Sequence, residues 1–346
     1  MIQDAVVPAR FHNFSHKAGK SDFKLLITDG VFEYFIMVVL WGPGQFITVA
    51  GLIVNVLNVV AFVRQGLRDS VTISLFGLTV SDLGSLVFLF FVNLCWTPAI
   101  GRLDLPFYPR QMMYFMFYGH VLFTRVTTGT TAWIAVERCL CIVTPLKVKS
   151  IITPRRTILY ICFLYLINTA SVAPLFYTSR FTWTFDSARN KSVLLYGKID
   201  NREKIEGVVY LTNNILPICF FLLIVVCTII LIKTLRKSAK WRKLSTGAKE
   251  TTSSRDTKVI KLVLIIAIVF IFCYAPGAVF FMWVLLDRDM RIDGRQKNFL
   301  IAFFSLLLFL ESINATVNFF VYITMNSKFK LAFEQLITVH RKQGSK

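Results

Sequence analysis

Six charged or titratable side chains lie in or at the ends of long apolar stretches of this chain: Asp82, His120, Arg125, Glu137, Arg138 and Glu311. At the centre of a membrane span such a side chain costs about 2.5–3.5 kcal/mol, so each needs a partner or a task. They do not make a catalytic set, because the four histidines are dispersed and no cluster of His, Cys and carboxylates stands out. The chemistry open to them is charge recognition and switching. Glu137 and Arg138 close one apolar run, and Pro145 follows seven residues after the arginine. An arginine is always charged, and at a helix end on the cytoplasmic surface it can trade partners between two states. The plainer reading is an arginine snorkelling to water.

These residues need elements to hold them. Hydrophobic residues are 55 % of the 346 and charged residues 17 %. Runs 34–63, 157–179, 207–232 and 262–286 carry no Lys, Arg, Asp or Glu, and runs 70–101, 111–136 and 298–327 carry one each: Asp82, Arg125 and Glu311. All seven exceed the ~20 residues that cross ~30 Å of hydrocarbon as a helix. Barrel strands are far shorter, so the expected fold is an all-α integral membrane bundle of seven transmembrane helices. A short amphipathic eighth helix is expected at 328–334. The chain then divides into an outer tail (1–33), the bundle (34–327) and a cytoplasmic helix and tail (328–346).

One set of loops and the C-terminal tail hold 21 Lys and Arg against four acids, and the other set and the N-terminal tail hold 16 against 12. The positive-inside rule therefore puts the N-terminus outside and the C-terminus in the cytoplasm of a multi-pass plasma-membrane protein. The net charge of +20 is largely this inner skirt against anionic lipid, so a nucleic-acid partner is not needed to explain it. No charged segment followed by a short apolar one precedes Tyr34, so no cleaved signal peptide is expected. Asn13 and Asn190 begin glycosylation sequons on the outer side; a third, at Asn314, falls mid-membrane and should stay bare. All seven cysteines lie in or beside apolar segments, so no extracellular disulfide is expected.

At 100° per residue Met113, His120, Thr127, Ile134 and Arg138 share one stripe of the third helix, and Arg125 stands about 140° away. Trp41-Gly42-Pro43-Gly44 predicts a kink in the first helix, and Pro276 a hinge in the sixth. Asn55 and Asn58 lie one turn apart. Glu311, Asn314, Asn318 and Tyr322 form an inward polar stripe on the seventh helix. Asn213, Asn214 and Pro217 open the fifth, and residues 180–206 read as a long outer loop.

Taken together these motifs resemble the rhodopsin-like (class A) family of G-protein-coupled receptors. Glu137-Arg138-Cys139 with Pro145 is similar to its Asp-Arg-Tyr motif, and Asn55 matches the first-helix asparagine. Leu78-Thr79-Val80-Ser81-Asp82 is similar to Leu-Ala-x-x-Asp, Cys273-Tyr274-Ala275-Pro276 to Cys-Trp-x-Pro, and Asn318-Phe319-Phe320-Val321-Tyr322 to Asn-Pro-x-x-Tyr. In texture the chain resembles invertebrate neuropeptide (FMRFamide-like) receptors and molluscan chemosensory receptors. The resemblance implies a receptor passing an extracellular peptide or small-molecule signal to a heterotrimeric G protein, with arrestins and kinases as further partners. It implies a switch built from Glu137, Arg138, Asp256, Tyr322 and Pro145, in which Arg138 pairs with Glu137 and Asp256 at rest. It implies no cofactor beyond a Na⁺ ion held by Asp82 with Thr127, Asn314, Asn318 and Asn55, with water as the other occupant. Ligand contacts are expected from His120, Glu311, Tyr274, Arg125 and Asn214, with Glu311 either meeting a cationic ligand group or pairing internally with His120 or Arg125.

Departures matter. Met113 stands where the family carries the cysteine of its outer disulfide, so the outer loop must be held otherwise or lie looser. Leu164 and Val225 replace a tryptophan and a tyrosine. His120, where amine receptors carry aspartate, argues against a small amine, and Ser312, at the retinal-lysine position, argues against a light receptor. A signalling-impaired decoy of the same fold is the nearest alternative. A transporter should show an internal repeat and a channel a filter segment, and neither is evident.

Overall fold

Burial in this protein runs opposite to that of a water-soluble one. Phe46, Phe272 and Val279 are 72–74 % exposed, whereas Asn55, Asn58, Thr130 and Ser312 are fully buried. Outward apolar side chains suit a lipid surround, and inward polar ones satisfy one another. The computed structural model describes residues 26–144, 147–198, 202–244, 254–290 and 294–343. Seven helices there are long and apolar enough to cross a membrane: α1 (Asp29–Gln65), α2 (Ser70–Trp96), α3 (Pro109–Val143), α4 (Pro154–Tyr177), most of α5 (Arg202–Leu244), α6 (Ser254–Leu286) and α7 (Lys297–Met325). α8 (Ser327–Gln343) follows a break at Asn326.

α3 is the axis of the bundle, with 61 % of its most apolar stretch buried against 22 % for α4 and α5. It is locked to α2 by reciprocal notches. A Cβ at Gly84 would strike the Phe123 ring and one at Gly119 the Phe88 ring, and the two rings stack 5.8 Å apart. Small residues permit this close approach. It sets Asp82 against Thr127 and Ser85 against His120, which is what the site requires.

Around Pro43 the first helix widens into a π-helical turn, Met37–Gly44, because proline cannot donate the bond an α-turn needs. At the end where α8 packs, an apolar layer joins Leu75 and Leu78 of α2, Ile134 of α3, Leu262, Val263 and Ile266 of α6 and Tyr322 of α7. Phe329 of α8 is fully buried beneath it, 4.9 Å from the Phe62 ring and 5.7 Å from Tyr322. α8 extends past the expected 328–334 because Phe329, Ala332, Phe333 and Leu336 continue one apolar face against the bundle. Phe319, where the family pattern has proline, packs on Phe333 at 5.3 Å.

Residues 180–206 are not simply a loop. Strands β1 (Ser179–Asp186) and β2 (Lys191–Lys198) form an antiparallel hairpin with Asp186 opposite Lys191, and α5 then begins at Arg202. Asn190 closes the turn at φ +50, a backbone conformation asparagine tolerates well. Phe181, Trp183 and Phe185 alternate with Thr182 and Thr184, a period-2 signal that a count of charges passes over.

Candidate functional site

The hairpin is fixed over the end of the bundle opposite α8 by a polar clasp. All seven cysteines are free. In place of a disulfide, Leu194 N donates to Pro106 O at 2.7 Å and Tyr196 N to Gln111 Oε1 at 3.1 Å. The Tyr108 hydroxyl donates to Asp186 Oδ2 at 2.5 Å, Arg189 lies over the Tyr108 ring at 5.1 Å, and Lys191 pairs with Asp104. The Tyr108 hydroxyl holds the Asp186 carboxyl below the usual range, Lys191 does the same for Asp104, and the Asp186 bond pushes Tyr108 up. Lowered acids stabilise above the ordinary carboxylate range, ~4, and a raised phenol stabilises below ~10, so the clasp is complete from about pH 5 to 9. Reductant should therefore leave hydrogen exchange of the β2 amides unchanged. Lys191→Glu should speed that exchange only modestly, since exposed pairs contribute little, and Asp104→Lys added to it should restore protection.

Beneath the hairpin a cavity of about 130 Å³ lies among α3, α5, α6 and α7. His120 and Arg125 of α3, Asn214 of α5, Tyr274 of α6 and Glu311 of α7 all line it. Arg125 joins His120 despite its offset because α3 is surrounded by other helices. His120 Nε2 lies 2.8 Å from Glu311 Oε2, and Nδ1 lies 3.1 Å from Ser85 O. Both ring nitrogens face acceptors, so either the ring is an imidazolium or Glu311 carries the shared proton. The pair is neutral either way. Of the roles open to Glu311, internal pairing with His120 is the one observed. Tyr274 stacks on Phe270 at 4.1 Å along the cavity wall.

Ser85 continues the network inward. Its hydroxyl donates to Asp82 O at 2.8 Å, while its carbonyl accepts from His120. The Asp82 carboxylate accepts from Thr127 Oγ1 at 2.8 Å and from Asn318 Nδ2 at 2.8 Å. Thr127 Oγ1 also lies 2.9 Å from Ser81 Oγ. Of the five residues expected at this centre, three touch. Asn55 turns its amide elsewhere, donating to Ala315 O of α7 at 3.0 Å and to Gly51 O of its own helix at 2.9 Å. Asn314, one turn outward of Asn318, is buried and makes no bond to Asp82. Ser81 and Ser85 were not anticipated, although their spacing around Asp82 places them on neighbouring faces of α2.

At the α8 end of the bundle Arg138 Nη2 pairs with Glu137 Oε1 at 2.9 Å, with side chains 11 % and 3 % exposed. Ser74 Oγ donates to the other Glu137 oxygen at 3.4 Å. Tyr322 is fully buried, and its hydroxyl lies beside Thr79 without hydrogen-bond geometry. Pro145, Asn13 and the Asp256 side chain lie outside the described residues, so the Arg138–Asp256 pairing has no counterpart to report. Asn190 is exposed at the hairpin turn.

The "7 transmembrane receptor (rhodopsin family)" model matches residues 54–322, the greater part of the chain. Tachykinin-like peptides receptor 86C of Drosophila melanogaster is 22 % identical over 318 residues, covering 87 % of this chain and 58 % of that receptor. Blue-sensitive opsin of Oryzias latipes is 25 % identical over 122 residues, covering 34 % of this chain and 32 % of the opsin. The chain thus spans less than two thirds of the length of either relative. The matched region runs from the first helix to Tyr322 and encloses the cavity, the Asp82 centre and the Glu137–Arg138 pair. The chain belongs to the rhodopsin family of seven-transmembrane receptors.

Proposed function

We propose that the chain is a ligand-activated receptor of the plasma membrane, N-terminus outside and C-terminus in the cytoplasm. It passes an extracellular peptide or chemosensory signal to a heterotrimeric G protein. The observation that carries this reading is the relay from Glu311 through His120 and Ser85 to Asp82 and Asn318, which joins a cavity under the hairpin to the inner half of α7. A ligand that favours another arrangement of His120 and Glu311 biases α3 and α7 together. α6 then tilts from the apolar layer, and Arg138 leaves Glu137 for the tail of a Gα subunit. Arrestins, kinases and inner-leaflet lipids are the further partners of the activated state. The peptide-receptor relative supports a peptide ligand. The opsin relative does not bring a light receptor with it, because Ser312 supplies no amine for retinal.

Na⁺ suits the Asp82 centre, where the carboxylate and the Thr127 and Ser81 hydroxyls offer only oxygen donors. Asp82, Thr127 and Ser81 would hold the ion, and its charge would favour the resting arrangement. Raising Na⁺ should weaken agonist binding to the wild type and leave Asp82→Asn unmoved. The whole reading is tested by expressing the chain in cells and screening peptides and small water-borne odorants for G-protein activation. A chain that reaches the surface, binds one of these and never activates a G protein is the decoy instead.

A further inference from the structure

Charge in the cavity does not balance. The His120–Glu311 pair is neutral in either proton arrangement, because both ring nitrogens face acceptors. Arg125 lines the same cavity, and its Nη1 is buried without a hydrogen-bond partner. No acid lies within ion-pair distance of it among the described residues. Glu311, the acid whose charge acts on it, is already engaged by His120. The cavity therefore carries one net positive charge on a half-buried guanidinium, a state that an anion entering the cavity relieves. Most of the remaining wall is apolar and aromatic, with Phe117, Phe221, Phe281 and Phe304 among its members, beside the polar Thr124, Thr128 and Asn214. Its volume, about 130 Å³, is close to that of an engineered ~150 Å³ cavity that admits benzene.

We propose that the ligand carries a free carboxylate beside a single aromatic ring, the ring filling this cavity and the carboxylate pairing with Arg125. The inference rests on the receptor reading for its consequence, but the binding chemistry stands on the cavity alone. A free aromatic acid and a peptide ending in an unamidated aromatic residue share this chemistry. A cationic amine does not, since Glu311 is spoken for and Arg125 repels it. An amidated chain end offers Arg125 a carbonyl but no countercharge. A charge-assisted bond of ~1.5–3 kcal/mol corresponds to roughly ten- to hundredfold in affinity.

The full chain in lipid nanodiscs, at fixed Na⁺ and pH 7.4, tests this by thermal shift. The probes are 3-phenylpropanoate, its amide, and the peptides Gly-Phe and Gly-Phe-amide. An acid should raise the melting temperature saturably, while its amide needs at least about tenfold more. A response to Gly-Phe alone assigns the site to a chain end, and a response to 3-phenylpropanoate alone assigns it to a small acid. Arg125→Gln should lose the acid response and Arg125→Lys keep a weaker one. Without probe, Arg125→Gln should melt no lower than wild type, because it removes a charge whose buried Nη1 has no partner. Equal responses to acid and amide, no response to either acid, or an undiminished response in Arg125→Gln would each overturn the proposal. Nucleotide exchange on added G protein is read in parallel. Acid binding with no exchange under any condition would sink the receptor reading and leave the acid site standing.

Discussion

Replacing His120 with alanine is expected to destabilise the bundle by about 3 kcal/mol, the low end for breaking a buried ion pair. The imidazole is 2 % exposed and bridges Ser85 O on α2 to Glu311 on α7, so truncation strands a carbonyl and a carboxylate together. The low end applies because the Glu311 side chain is 22 % exposed and water can reach it. Glu311→Gln should cost far less, about 1 kcal/mol, since an amide can donate to or accept from the same ring nitrogen. Melting of the purified variants measures both. If His120→Ala melts within a degree of Glu311→Gln, the ring does not bridge the two helices.

Glu137→Gln is expected to raise signalling in the absence of ligand. The Glu137–Arg138 pair sits under the apolar layer of Leu75, Ile134, Leu262 and Tyr322, largely out of water. Removing the acid's charge withdraws the strongest described contact that holds the guanidinium at rest and leaves the Ser74 bond to an amide. Couplings between two receptor states run to ~1–3 kcal/mol, so basal second-messenger output should rise about five- to hundredfold at matched surface expression. Unchanged basal output would mean that the pair is an ornament of the helix end.

Much of this was legible before any coordinate. Run lengths gave seven spans because hydrocarbon thickness sets helix length, and the inward placement of Asp82, His120 and Glu311 followed from the cost of charge in lipid. What the sequence could not resolve was choice among near neighbours. Asn55 and Asn314 lie on inward faces as expected, yet Asn55 bonds the α7 backbone and Asn314 makes no bond to the carboxylate, because side-chain reach decides partners and periodicity does not. Ser85 was passed over since a serine in a helix usually bonds its own backbone; it does so here, and its carbonyl still accepts from His120. The hairpin was missed because charged residues 180–206 read as loop, while the signal lay in alternating aromatics. The clasp was invisible for a related reason: Tyr108, Asp186, Arg189 and Lys191 meet only once the strands are paired.

The central claim is that Arg138 delivers the signal to a G protein. The most direct measurement is the rate of nucleotide exchange on a purified heterotrimer mixed with the chain in nanodiscs, wild type against Arg138→Ala, both verified as folded by their melting curves. The account predicts that the wild type accelerates exchange and that the alanine variant loses most of that acceleration. Equal acceleration by the two chains would contradict it.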